Sequence, residues 1–170
     1  MSKSKNFSAK ETFDLAVQNH KNNNLDTAEK LYKEILEIEP NHFESICYLG
    51  TLFAQIKNFD LAKQLLKKAI KINSDHPEVH YNLGNVLIER KEIKEAKNCY
   101  EKAIQINPNY VEAYNNLGNL LKDLGKIHEA KNCYEKAIQI NPSYIDAYNN
   151  LGLVFKKLER AQESIKSFQK

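Results

Sequence analysis

The chain has 170 residues, a formal net charge of +3, 42% hydrophobic and 28% charged residues, and only five Gly and four Pro. That is the make-up of a soluble, helical protein with short connections. The charges form no basic stripe, which argues against nucleic acid or an anionic membrane as principal partner, and no apolar run approaches the roughly 18 residues of a membrane helix.

Residues 1–8 form a polar leader, and the start Met1-Ser2-Lys3-Ser4-Lys5 lacks an apolar signal core, so a cytoplasmic protein is expected. The Asn6-Phe7-Ser8 sequon is then idle. Cys47, Cys99 and Cys133 have no Cys-x-x-Cys spacing, and buried or half-buried reduced thiols are the expectation.

From Ala9 onward the chain is periodic. Leu49-Gly50, Leu83-Gly84, Leu117-Gly118 and Leu151-Gly152 return at an interval of 34 residues, which predicts stacked copies of one unit that cannot bury its apolar face alone. Five units follow, over 9–42, 43–76, 77–110, 111–144 and an incomplete 145–170, together one repeat domain. In each, two apolar blocks of helical spacing flank a polar turn, the pattern of a helical hairpin. The fourth unit is predicted as a helix from Val111 to Leu124, a turn at Gly125-Lys126 and a helix from Ile127 to Ile140. Residues 95–110 and 129–144 are identical except for Asn109 against Ser143.

Asn41, Asp75, Asn109 and Ser143 each stand three residues before an acid (Glu44, Glu78, Glu112, Asp146), the spacing of a cap that satisfies free backbone N–H groups. Pro40, Pro108 and Pro142 stop the second helices. Gly50, Gly84, Gly118 and Gly152 lie inside helices, where Gly costs about 1 kcal/mol relative to Ala, so close approach of the paired helix is expected at each. Ala28, Ala62, Ala96 and Ala130 supply the facing small surface. Tyr32, Leu66, Tyr100, Tyr134 and Phe168 supply core bulk.

These residues resemble the tetratricopeptide repeat pattern of an aromatic, Leu-Gly, an aromatic, Ala, an aromatic and Pro: Tyr114, Leu117-Gly118, Leu121 at the place of the second aromatic, Ala130, Tyr134 and Pro142. The array looks most like those of O-linked N-acetylglucosamine transferase-type proteins. Departures lie toward the ends, at Ala16, Asn19, Ser74 and Ser164, and His80 replaces an aromatic. The resemblance implies an all-α, right-handed α-solenoid whose first helices line a concave wall that binds extended peptides. On that wall the inward row is Asp14, Tyr48, Asn82, Asn116 and Asn150, with a second row of Val17, Thr51, Asn85, Asn119 and Leu153. A carboxamide both donates and accepts, so an Asn row can hold peptide backbone whatever its side chains. The residues matching the family's chaperone-tail clamp (Phe13, Cys47, Tyr81, Asn115, Asn149 and Lys10, Glu44, Glu78, Glu112, Asp146) supply only one base, which disfavours that ligand.

No phosphate loop, His-Glu-x-x-His or Gly-x-Ser-x-Gly occurs, so neither an enzyme nor a cofactor is expected. His76 and His80 flank Glu78, but a packing and capping role outweighs metal binding. The reading is a protein-interaction scaffold for a protein or peptide partner. Its alternative is the substrate-recruiting arm of a larger enzyme such as a glycosyltransferase. Because the array stops at Lys170 without a capping helix, the sequence predicts either continuation in a longer parent or self-association through the bare end. Replacing Asn82, Asn116 and Asn150 by Ala is expected to weaken peptide binding with little loss of stability.

Overall fold

A computed structural model describes the backbone of residues 8–168 and the side chains of residues 8–159. The regular structure among them is helical: α1 Ala9–Lys21, α2 Leu25–Ile38, α3 Phe43–Gln55, α4 Phe59–Ile72, α5 Pro77–Glu89, α6 Ile93–Ile106, α7 Val111–Asp123, α8 Ile127–Ile140 and α9 Ile145–Phe168. Helical repeats in series make this an all-α solenoid. The chain divides after Glu92 into two compact units, one holding α1 to α5 and the other α6 to α9. No helix among the described residues is long and apolar enough to cross a membrane. The leader up to Phe7 and the side chains of Ser164, Phe168 and Lys170 lie outside the described residues.

Each hairpin turns in the same way. Asn23, Lys57, Lys91 and Gly125 take φ of 61°, 62°, 61° and 76°, the left-handed conformation that closes a helix. The next residue donates back five positions, as in Asn58 N–H to the Phe53 carbonyl at 2.8 Å and Lys126 N–H to the Leu121 carbonyl at 2.8 Å. This is a Schellman motif, which satisfies carbonyls the helix end would leave bare.

The links between hairpins differ from the predicted caps. Asn41, Asp75, Asn109 and Ser143 stand two residues before their helices rather than at the cap. The Oδ1 atoms of Asn73, Asn107 and Asn141 instead accept the Asp75, Asn109 and Ser143 N–H groups, each at 3.0 Å. A short Asn side chain that imitates a backbone turn wins these donors before the helix begins. His42 caps α3, its Nδ1 accepting the Ser45 N–H at 3.2 Å. A reciprocal capping box forms at α1, where Ser8 Oγ accepts from Glu11 N–H at 3.2 Å and Glu11 Oε2 accepts from Ser8 N–H at 2.9 Å.

Packing follows the period where a second helix is present. A Cβ on Gly50 would stand 3.1 Å from Leu66 Cγ, and one on Gly118 would stand 2.6 Å from Tyr134 Cε1. These glycines let a bulky side chain of the paired helix lie against backbone. Ala28, Ala62, Ala96 and Ala130 are fully buried, as are Tyr32, Leu66 and Tyr134, each large side chain contributing roughly 1.5–3 kcal/mol.

The fifth repeat departs from its predecessors. A hairpin is expected there, but α9 runs for 24 residues without a turn. Glu159 occupies the register of Asn23, Lys57, Lys91 and Gly125, and Leu158 to Glu163 contain no Gly, Asn or Pro, so strong helix formers carry the ladder on. With no second helix against it, Gly152 meets nothing within 4 Å of a Cβ, and the close approach expected at this glycine is absent.

Candidate functional site

The two inward rows fall on first helices, and in the first unit they converge. Tyr48 and Thr51 of α3, Asn82 and Val79 of α5, with Cys47, His76 and Glu78, line an open cavity of about 330 Å³. Tyr48 is 39% exposed, yet its ring is fixed from several sides. It stands edge-on to Phe13 at 5.5 Å and to His20 at 6.3 Å, and tilted to Tyr32 at 6.0 Å between centroids. Such ring pairs add about 0.5–1.5 kcal/mol beyond area burial, so Tyr48 offers a face held in place before anything binds.

The polar atoms around this cavity are partly committed. Thr51 Oγ1 donates to the Tyr48 carbonyl at 2.8 Å within its own helix. His76 Nδ1 lies 2.8 Å from Glu78 Oε2, an ion pair whenever the ring is protonated, and its ring sits 5.1 Å from that of Phe43. Burial, helped by Glu44, pushes the Cys47 thiol up to about 12, which keeps it protonated and unreactive. Asp14 is exposed on α1 and does not line the cavity. Buried His80 contacts the Ser74 carbonyl through Nε2 at 2.8 Å, so the two histidines bracketing Glu78 serve separate local contacts. Among the described residues no group of three His, Cys, Asp or Glu side chains could hold a metal.

In the second unit the row is a bonded chain of amides. Asn150 Nδ2 donates to Asn115 Oδ1 at 3.0 Å, and Asn115 Nδ2 lies 3.5 Å from Asn116 Oδ1. Asn115 is 5% exposed. The sequence reading placed it only in the clamp row, and the signal that could have found it is the Asn115-Asn116 pair, which recurs one period later as Asn149-Asn150. Asn119 Oδ1 accepts the hydroxyl of buried Tyr134 at 2.9 Å, and burial pushes that phenol upward. One of the two functions of Asn119 is therefore structural. Further along, Leu153 of the second row joins Lys122, Asp123, Lys156 and Lys157 around an open recess of about 530 Å³. Leu153 is exposed there, and three lysines face one aspartate.

Another recess, about 610 Å³, lies at the turns, lined by residues 56–60 with Glu89 and Arg90. Its charges satisfy one another: Arg90 bonds Asp60, and Glu92 accepts from Arg90 at 2.6 Å and from Lys63. Hydrogen bonds from Lys63 and then Arg90 hold the Glu92 carboxyl below its ordinary range. That network ties the turns together.

The family pattern described as TPR repeat matches residues 84–125 and 118–159, and that of anaphase-promoting complex, cyclosome, subunit 3 matches residues 21–103. No curated protein matches the sequence. Among solved structures, the MamA protein superposes with a TM-score of 0.80 at 28% identity over 95% of this chain and 88% of that one. YrrB, described as a TPR protein with an unusual peptide-binding site, gives 0.74 at 24% identity over 89% and 78%. An O-GlcNAc transferase of Thermobaculum terrenum gives 0.74 at 23% identity over 82% of this chain and 27% of that one. The last two likenesses are likenesses of fold.

Proposed function

The chain is a tetratricopeptide repeat protein, and from that premise we propose that it is an interaction scaffold that holds an extended peptide along the inward rows of its first helices. The observation that carries this is the cavity of about 330 Å³, where Tyr48, Thr51 and Asn82, assigned to the rows by the family resemblance, meet from two helices. A ring already packed against three others costs little entropy to bind against. Asn82 beside it offers a carboxamide for peptide N–H and C=O.

In this reading Tyr48, Asn82 and Asn85 grip one stretch in the first unit, with Asp14 at its margin. In the second unit Asn116, Asn119 and Asn150 grip another, Asn119 donating through Nδ2 and Asn150 accepting through Oδ1, the atoms their internal bonds leave over. The second reading, a recruiting arm of a larger enzyme, has support from the fold likeness to the transferase.

The test is a random peptide library displayed on phage and panned against the chain, followed by calorimetric titration of the selected peptide. Tyr48→Ala and Asn82→Ala should each raise Kd at least tenfold, about 1.4 kcal/mol. Affinity unchanged in both variants would place the binding site elsewhere.

A further inference from the structure

The cavity between α3 and α5 carries negative charge, and none of the residues lining it is Lys or Arg. Glu78 lines it with its carboxylate more than half exposed. Glu44, one turn before Cys47, is felt at the same wall, since burial and then Glu44 push the Cys47 thiol up. The other titratable neighbours are histidines. His76 Nδ1 meets Glu78 Oε2 at 2.8 Å, and His42 Nδ1 stands 3.7 Å from Glu44 Oε2. Each contact uses one oxygen of a carboxylate that has two.

The walls suit one kind of cation. Tyr48 presents a ring that Phe13, His20 and Tyr32 hold in place, and a ring face attracts a cation within about 6 Å of its centroid. Buried Val79 and half-buried, neutral Cys47 make the wall beside it apolar. Glu78 and Asn82, four residues apart on α5, share a face of that helix. A carboxylate and a carboxamide thus stand across from a ring, with methylene-compatible surface between them.

We propose that this cavity is an arginine subsite: the guanidinium of one peptide arginine lies on the Tyr48 ring and donates to Glu78, while its stem packs on Val79 and Cys47. The inference rests on the peptide-binding reading and adds to it a residue the peptide must carry. A guanidinium is planar and weakly hydrated, so it can stack on a ring while its fork addresses a carboxylate. An ammonium is a compact, strongly hydrated point charge that cannot do both. An apolar side chain would take water from the Glu78 carboxylate and return no hydrogen bond.

Peptides selected from the phage library against the chain test this, first by sequence and then by titration. Each should carry an arginine. Replacing it by citrulline, which keeps the shape and removes the charge, should raise Kd about tenfold, and lysine in its place should bind more weakly than arginine. With Glu78→Gln the citrulline penalty should shrink about threefold, because the charge has lost its partner. The citrulline change leaves the protein untouched, so its effect owes nothing to folding. Peptides whose affinity falls with Tyr48→Ala but is indifferent to citrulline, or equal with lysine, overturn the arginine subsite and leave the peptide-binding reading standing. A citrulline penalty undiminished by Glu78→Gln overturns the subsite as well. A library that yields no binder, or binders indifferent to both Tyr48→Ala and Asn82→Ala, overturns the two together.

Discussion

Of the rows assigned to the inward wall, the first unit holds one braced ring, Tyr48, beside Asn82 and Asn85, and the second holds Asn116, Asn119 and Asn150, although one period generates both. Tyr48 leans on Phe13, His20 and Tyr32, whereas Asn150, Asn115 and Asn116 bond in sequence and Asn119 serves Tyr134. The difference teaches where binding and stability are separable. A ring packed by other rings keeps its outer face for a ligand. An amide that satisfies a buried partner is part of the fold as well as part of the wall.

The largest expected effect contrasts the two helix crossings. Gly118→Ala drives a Cβ to 2.6 Å from the rigid Tyr134 ring, and overpacking should cost about 2 kcal/mol even after the helix-propensity gain. Gly50→Ala meets Leu66, a flexible side chain, at 3.1 Å, and that same gain should hold the net change within about 0.5 kcal/mol. Urea denaturation of the two variants checks this, and equal losses would break the contrast.

A smaller effect is expected at equivalent wall positions. Asn119→Ala strands the buried Tyr134 hydroxyl and should cost about 1–2 kcal/mol, most of it recovered when Tyr134→Phe is added. Thr51→Ala, at the same register, removes a bond to its own helix and should stay within about 0.5 kcal/mol. Thermal melts of the three proteins suffice.

The smallest effect is alkaline. Burial, followed by Glu129 and Glu101, pushes the Cys133 thiol up to about 11, and burial with Glu44 takes Cys47 to about 12. Both folded values lie above the unfolded value near 8.5. The stabilisation of the neutral thiols is thus complete below pH 8.5 and is lost as pH rises toward 11 in the second unit and 12 in the first. Iodoacetamide labelling of the native chain at stepped pH should modify Cys133 before Cys47.

The period made the backbone legible. The α8 boundaries, the Gly125 turn and the buried Ala series all follow from one spacing, because each is set by contacts that recur in register. Tyr48, Thr51 and Asn82 were grouped by the family resemblance, and they line one cavity. What escaped the sequence depends on neighbours rather than on position. Asn107 and Asn141 accept the N–H groups of Asn109 and Ser143, which holds those two residues in the loop and ahead of the cap position that acid spacing assigned to them. Asn115 is one of three adjacent or equivalent amides, and only packing decides which is buried. It also alters the triple alanine variant: Asn116 and Asn150 are the partners of Asn115, so their removal should cost stability of about 1–3 kcal/mol for the amide left unpaired. At Glu159 local propensity prevails. Lys57 and Lys91 accept the same left-handed strain, each in a hairpin that continues into a second helix of 14 residues.

The linkers after α6 and α8 close with the same Asn bond, to Asn109 in one and Ser143 in the other, and the residues before them are the same from Glu95 to Ile106 and from Glu129 to Ile140. At the level of the gene, such a duplicated stretch lets misaligned recombination delete or add a whole unit with the reading frame, the turn and the helix register all intact. The scaffold's length is thereby an inheritable variable, adjustable in steps of 34 residues without any new joint having to evolve.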